Sequence, residues 1–273
     1  MVLIDEALGP NPTGYCLNGQ YFTTSQHNYA NIIGKFIPTQ PTYTKVAFRH
    51  SMSNIVNVLQ LAAMDNQDTT AIDADPELSF SRLWSLTDRF AGGLRAHEIG
   101  KGDSVGICLT DPATLLVAIY GTLRNGSVPV VFSPDLFDSE VANGLDEVGS
   151  TALVVDDRSP VSLISLSSSM QFIITVDIDS YFGMSYEEFL DNSGINPSGA
   201  RTGRNLIERA EDDDAVLTYG PTDGDGTPRT YTHGDLQEAA SEAEPSRQKP
   251  IVALGPVYEE IQPDSASLSP NPC

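Results

Sequence analysis

Apolar residues take on a regular period only from about residue 54 onward. Ile55, Val58, Leu59 and Ala62 fall on one helical face, with Ser53 or Asn54 placed to cap its start. A second helical stripe runs through Leu83, Leu86, Phe90 and Leu94, beside which Trp84 is expected to pack, and Gly100 to Asp103 supply a stop and a turn. The period then shortens. Ser104 to Leu109, Val128 to Phe132, Thr151 to Val155, Gln171 to Val176 and Ala215 to Tyr219 are short runs rich in branched apolar residues, the pattern of strands buried on both faces.

Helical segments separate these strands. Asp111-Pro112 combines an N-cap aspartate with a first-turn proline and opens a helix through Leu115, Ile119 and Leu123 that Asn125-Gly126 closes. Glu140 to Val148 continues the alternation despite Gly144, Ser185 to Glu188 has capping-box spacing, and a polar helix is expected to run past Leu236 to about Glu244. Strands alternating with helices predict an α/β fold with a doubly wound, mostly parallel sheet and flanking helices. Outside this region the pattern fails. Residues 1–53 read as a poorly specified extension, residues 54–244 as the ordered domain, and residues 245–273 as a weakly ordered tail relieved only by Ile251-Val252-Ala253-Leu254.

Composition narrows the function classes. The chain sets 15 Lys plus Arg against 37 Asp plus Glu for a net charge of −22, and its lysines are confined to Lys35, Lys45, Lys101 and Lys249. Such a surface repels nucleic acid and anionic membranes. Acidic residues spread along the whole length, with so little lysine, point to a surface adapted to concentrated salt. Cysteine occurs at Cys16, Cys108 and Cys273, with no metal-ligand spacing, which fits a reducing cytoplasm, and Cys108 is expected to pack inside its strand. The longest apolar stretch, around Ala113 to Leu123, is too short to span a bilayer. His27, His50 and His97 have no carboxylate or serine partner at a suggestive spacing, so a nucleophilic triad finds no support.

Several of these segments carry more than a period. Leu78-Ser79-Phe80-Ser81-Arg82-Leu83 is similar to an "lTYaeL" helix entry, and Phe90 through Val105 to an "AaaLra.Gv.kGDrVai" run. Asp111-Pro112-Ala113 stands where "N-s-p-e" would, Gly121 to Val131 looks like "ailkaGavyvPl", and Thr151 to Asp156 looks like "arvlvvdd". In this order the segments resemble the first part of the large N-terminal domain in the superfamily of acyl-CoA synthetases, peptide-synthetase adenylation domains and luciferases, the adenylate-forming ligases. The resemblance implies ATP- and Mg²⁺-dependent activation of a carboxylic acid to an acyl-adenylate, which coenzyme A then captures.

The same resemblance implies a phosphate loop between Asp213 and Leu236. The superfamily reads "D-x-A-x-L-x-Y-T-S-G-T-T-G-x-P-K-G-V-x-x-T-H-x-x-L" there; this chain keeps the strand, Thr232-His233 and Leu236. One residue is missing after Tyr219, Pro221 replaces a glycine, and Thr227 stands where the lysine would. A loop that cradles phosphate needs glycines, N–H and hydroxyl donors, and a nearby cation. Thr222, Gly224, Gly226 and Thr227 retain part of that chemistry, and Arg229 is a substitute cation if the loop is rearranged. Asp223 and Asp225 oppose it, since two like charges about 4 Å apart repel by about 4 kcal/mol at an effective dielectric of 20. Three readings of Thr222 to Thr227 therefore stand: a degenerate phosphate loop, an acidic surface turn, or a cation site lacking its closing glutamate. For His233 the competing readings are a motif residue and a helix-start residue beside the cap Thr232.

Further superfamily motifs do not appear in these 273 residues: the adenine and ribose segments, the Y-G-x-T-E threonine and glutamate, and the C-terminal domain with its catalytic lysine. The resemblance thus implies a truncated ligase scaffold that needs a complementary half or C-terminal domain for turnover, or a non-catalytic remnant of one, and assigns no catalytic or metal-ligating residue. The charge pattern carries its own test. The thermal unfolding midpoint should rise steadily as KCl is raised from about 0.1 M to about 1 M, where the Debye length shrinks from about 10 Å to about 3 Å; a flat response would mark an ordinary acidic protein.

Overall fold

The computed structural model describes residues 14–17, 20–23, 54–72, 77–157, 170–178, 183–193, 207–221, 227–243 and 248–262. The chain divides into two compact units, Met1–Val46 and Ala47–Cys273. In the first, strands β1 (Gly14–Leu17) and β2 (Gln20–Thr23) pair antiparallel. The sequence carries a signal for this pair, the dipeptide Asn18-Gly19 favoured in two-residue hairpins, within the stretch expected to be poorly specified.

The second unit is built on a seven-stranded sheet. In chain order its elements are α1 (Val56–Asp65), a small antiparallel pair β3 (Thr70–Ile72) and β4 (Leu78–Ser79), α2 (Phe80–Ala96), β5 (Ser104–Cys108), α3 (Pro112–Asn125), β6 (Val128–Phe132), α4 (Asp138–Glu147) and β7 (Ser150–Asp156). There follow β8 (Phe172–Val176), β9 (Met184–Ser185), α5 (Tyr186–Asp191), β10 (Asp214–Tyr219), β11 (Arg229–Thr232), α6 (His233–Ser241), α7 (Lys249–Val252) and α8 (Gly255–Ile261). The strand order is β11-β10-β6-β5-β7-β8-β9, all parallel except β11, which runs antiparallel to β10. This is the doubly wound, mostly parallel sheet that the alternation of elements predicts. Among the described residues no helix is long and apolar enough to cross a membrane.

Local chemistry explains why the helices begin and end where they do. The Asp111 carboxylate accepts from the Thr114 N–H at 2.8 Å with Pro112 at the first helical position, and Gly126 closes α3 in the left-handed region at φ 86°, where a side chain would be strained. Ser79 caps α2 by accepting from the Arg82 N–H, and Ser185 caps α5 through the Glu188 N–H. At α1 the Asn54 carboxamide accepts from the Val56 N–H at 3.0 Å and donates to the Ile207 carbonyl at 2.8 Å, so the residue expected as a cap also ties the helix to a distant segment. Pro129 is tolerated in the central strand β6 because the ladder to β10 begins only at Val130.

Alternation sorts the strand side chains into two cores. Val105, Ile107, Val131, Ala152 and Val154 join the core beneath α1, α2 and α3, while Cys108, Val130, Phe132, Leu153 and Val155 meet Val141 and Leu145 of α4 on the other face. Close approach between α2 and α3 depends on Gly121, where an added Cβ would lie 2.6 Å from the Phe90 ring. Across that seam the Arg124 guanidinium pairs with Asp88 at 2.8 Å and lies 3.7 Å from the centroid of Trp84, which is how Trp84 comes to pack beside its helix.

The segment expected as a weakly ordered tail differs from that expectation between Gln248 and Gln262. Ile251, Leu254, Val257, Tyr258 and Ile261 are buried, and the segment is held by three tyrosine hydroxyls that donate to proline carbonyls: Tyr120 to Pro250 at 2.6 Å, Tyr231 to Pro256 at 3.1 Å and Tyr258 to Pro112 at 3.1 Å. Two helices of four and seven residues, separated by Ala253-Leu254, are each too short to display a period, so their apolar face leaves no mark in the sequence pattern. Residues 263–273 lie outside the described residues. Leu254→Ala should cost about 2–5 kcal/mol in urea unfolding, as for a buried leucine, while Met64→Ala, on the exposed face of α1, should stay within about 0.5 kcal/mol. Equal midpoints for the two variants would contradict the packing of this segment.

Candidate functional site

In open α/β sheets, ligands bind beyond the carboxyl ends of the strands, where the winding reverses. Here the reversal falls at β5, whose neighbours β6 and β7 are reached through helices on opposite faces. That crevice is already spanned by protein. The Asp156 carboxylate, at the end of β7, accepts from the Thr110 N–H at 2.6 Å and the Thr110 hydroxyl at 2.7 Å, and Asp111 caps α3 beside it. Two carboxylates at this opening make it a poor place for an anion.

The same edge carries the turn between β10 and β11. At the end of β10 the Tyr219 carbonyl accepts from the Ser133 N–H at 2.9 Å, and the Tyr219 ring stacks on Phe132 with centroids 4.9 Å apart. Its hydroxyl donates to Glu147 at 3.2 Å; burial and then the Glu147 charge hold the phenol well above its ordinary pKa, so it stays protonated. The Thr218 hydroxyl donates to the Arg229 carbonyl at 3.4 Å and ties the two strands together just before the turn.

Of the residues assigned to the phosphate loop, Thr222, Asp223, Gly224, Asp225 and Gly226 lie outside the described residues. Thr227 is described and stands exposed two residues before β11 begins. Glu260 of α8 lies against Gly220, where an added Cβ would come within 2.7 Å of the Glu260 carbonyl oxygen and 2.9 Å of its carboxylate. That carboxylate pairs with the Arg229 guanidinium at 3.0 Å, and Arg229 also lies 5.1 Å from the Tyr231 ring centroid. Nothing in the sequence pointed to Glu260, which lies far along the chain from Gly220 and belongs to the segment read as a tail.

This arrangement tests the fit of a nucleotide triphosphate. Phosphate calls for a guanidinium or ammonium facing it, and the cation placed at this turn already serves a carboxylate. With the Arg229–Glu260 pair intact, the described residues do not fit the phosphates. Among the described residues no group of three or more His, Cys, Asp or Glu stands close enough to hold a metal ion.

Thr232-His233 lies at the opposite end of β11, about 10 Å from the turn at the rise of an extended strand. Thr232 caps α6 by accepting from the Asp235 N–H at 3.1 Å, while the Asp235 carboxylate accepts from the Thr232 N–H at 2.8 Å. His233 is buried, and its Nδ1 accepts from the Ile55 N–H at 3.3 Å, joining the start of α1 to that of α6. The helix-start reading therefore holds, with a long-range bond added. His97 stacks on Phe172 with centroids 4.1 Å apart, Cys108 is buried in β5, and His27 and His50 lie outside the described residues.

Burial, then the Arg209 charge, lowers the His233 pKa to about 4, while Asp213 opposes them. The ordinary value is about 6.5, so the stability contributed by the neutral ring is complete above about pH 6.5 and is lost as pH falls toward 4, by about 1.4 kcal/mol per pH unit. The stability gap between wild type and His233→Gln should narrow across that window in urea titrations. A gap that does not change with pH would remove this role.

Comparison with known proteins gives the scaffold its place. A family model described as AMP-binding enzyme matches residues 59–220, more than half of the chain, and the match stops where the β10–β11 turn begins. The chain is 31% identical over 90 residues to 3-hydroxybenzoate–CoA/4-hydroxybenzoate–CoA ligase of Thauera aromatica, covering 33% of this chain and 17% of that protein. It is 25% identical over 131 residues to 2-succinylbenzoate–CoA ligase of Bacillus subtilis, covering 48% and 26%. A solved Mycobacterium tuberculosis fatty acyl CoA synthetase shares the fold at a TM-score of 0.57 and 22% identity, over 70% of this chain and 37% of that one. The chain thus spans well under half the length of these relatives. With the family model matched from within α1 to the end of β10, the chain belongs to the AMP-binding enzyme family.

Proposed function

We propose that this chain is the first part of an adenylate-forming ligase, acting where a carboxylic acid is activated with ATP and Mg²⁺ and handed to coenzyme A. Its own contribution is the connection between β10 and β11, where the sequence keeps part of a phosphate loop's chemistry in Thr222, Gly224, Gly226 and Thr227. The carrying observation is topological. β10 joins the parallel sheet beside β6, and β11 returns antiparallel, so the turn leaves from the carboxyl edge where α/β sheets bind ligands. The family match over residues 59–220 and the names of the CoA ligase relatives support the reading. A complementary ligase half or C-terminal domain would supply the rest of the site.

Three features favour a second reading, a non-catalytic binding protein on a ligase scaffold. Thr227 replaces the expected lysine, Asp223 and Asp225 add negative charge, and Arg229 is engaged by Glu260. Calorimetric titration with Mg-ATP in multimolar KCl separates the two. Saturable binding is expected, tightening several-fold in Asp223→Asn/Asp225→Asn as the loop loses charge that repels phosphate. No heat from either folded protein would sink the nucleotide reading and leave the second.

A further inference from the structure

Helix α1 borrows part of its cap from the far end of the domain. Its N-cap residue, Ile55, makes no side-chain bond, and the Ile55 N–H is one of the donors that a helix start leaves without an intrahelical partner. The His233 Nδ1 accepts from it at 3.3 Å, from 178 positions along the chain. To accept there the ring must be neutral, with its proton on Nε2. The ring is 1% exposed, and several distant segments meet around it. Asn54 donates to the Ile207 carbonyl at 2.8 Å, and Arg209 donates to the carbonyl of Gly126, which closes α3. The His233 N–H donates to the Asp213 carbonyl at 3.1 Å, and the Gly234 N–H to the Glu211 carbonyl at 2.7 Å.

We propose that His233 is an acid-opened latch on α1: uncharged, its ring holds the start of the helix against α6 and residues 207–213; charged, it releases α1 from the helices beneath while the sheet stays intact. A proton on Nδ1 turns the acceptor into a donor facing the Ile55 N–H, and it sets a cation at the positive ends of two helices, α1 and α6. Of the charges around the ring, Arg209 repels a cation there and Asp213 attracts it. Glu211 lies against Gly234, Asp214 pairs with Thr232, and Asp235 is held by the Thr232 cap, while Asn54 and Ile55 bring no charge from α1. Burial and then Arg209 prevail, holding the ring's pKa at about 4, against about 6.5 once it is released. The open state therefore takes up the proton more readily, and between about pH 6.5 and about pH 4 opening gains up to about tenfold per pH unit. Because α1 packs on α2, α3 and α7 and contributes no bond to the ladders of the sheet, it can lift by itself. The latch lies at the amino edge of the sheet and does not depend on nucleotide binding at the other edge.

Amide hydrogen exchange of the whole chain, corrected for the intrinsic pH dependence of exchange, reads this opening. From about pH 6.5 to about pH 5 the opening constants of α1 should rise about fifteenfold in the wild type. Those of β5 and β7 should stay smaller at every pH, as expected when one element opens ahead of the rest. In His233→Gln, whose carboxamide oxygen can still accept from Ile55 but does not titrate in this range, the rise in α1 should vanish. A flat response in the wild type, or a rise that survives His233→Gln, would overturn the latch. Equal opening constants for α1 and β5 would overturn it too, since the whole domain would then be unfolding at once. If His233→Gln does not fold, as judged by circular dichroism, proton NMR of the wild type decides. One of its four histidine rings should remain neutral at about pH 5, whereas four charged rings at that pH would leave no latch.

Discussion

Strand β5 must be buried on both faces, and the rest of the domain follows from that requirement. Its ladders to β6 and β7 satisfy the backbone on both edges, while Val105 and Ile107 point to one core and Cys108 to the other. A parallel strand so placed needs helices above and below. The chain supplies them in order, α3 on one face and α4 on the other, with Gly106 allowing Leu145 of α4 to rest directly on the strand. Once the two helices lie on opposite faces, the winding must reverse at β5, and the carboxyl edge becomes the side on which a site can form.

What occupies that edge follows from a charge imbalance. With 37 acidic residues against 15 Lys plus Arg, carboxylates stand at the described parts of this edge. Asp156 and Asp111 satisfy backbone donors at the mouth of the central crevice, and Glu260 meets Arg229 beside the turn. The arginines in described ion pairs also brace structure: Arg124 pairs with Asp88 across the helix seam, Arg89 with Asp191, and Arg209 with Asp213 near His233.

Much of the fold was legible because local signals and burial agreed. The apolar runs at residues 104, 128, 151 and 171 and the Asp111-Pro112 and Asn125-Gly126 boundaries appear in the structure within a residue or two, each from backbone chemistry confined to a few neighbouring residues. The hairpin of β1 and β2 had its signal in Asn18-Gly19, but no strand period long enough to stand out beside it. The candidate site was legible only in part. Thr218 and Tyr219 could be placed on a strand from the apolar run Ala215 to Tyr219, whereas the return strand from Arg229 was not foreseen and no local signal relates Glu260 to Gly220 or His233 to the N–H of Ile55.

The sequence by itself determined the class of fold, the order of the five core parallel strands with the helices between them, and the caps that bound those helices, because each depends on periodicity and on contacts between near neighbours. It also determined the acidic surface. Tertiary structure alone decided that residues 248–262 belong to the core, that three tyrosines hold them there, and that the guanidinium nearest the turn is already engaged. These are encounters between residues far apart in the chain. Their geometry exists only once the sheet has brought its carboxyl edge and the C-terminal helix together, and no local rule of propensity or spacing encodes it.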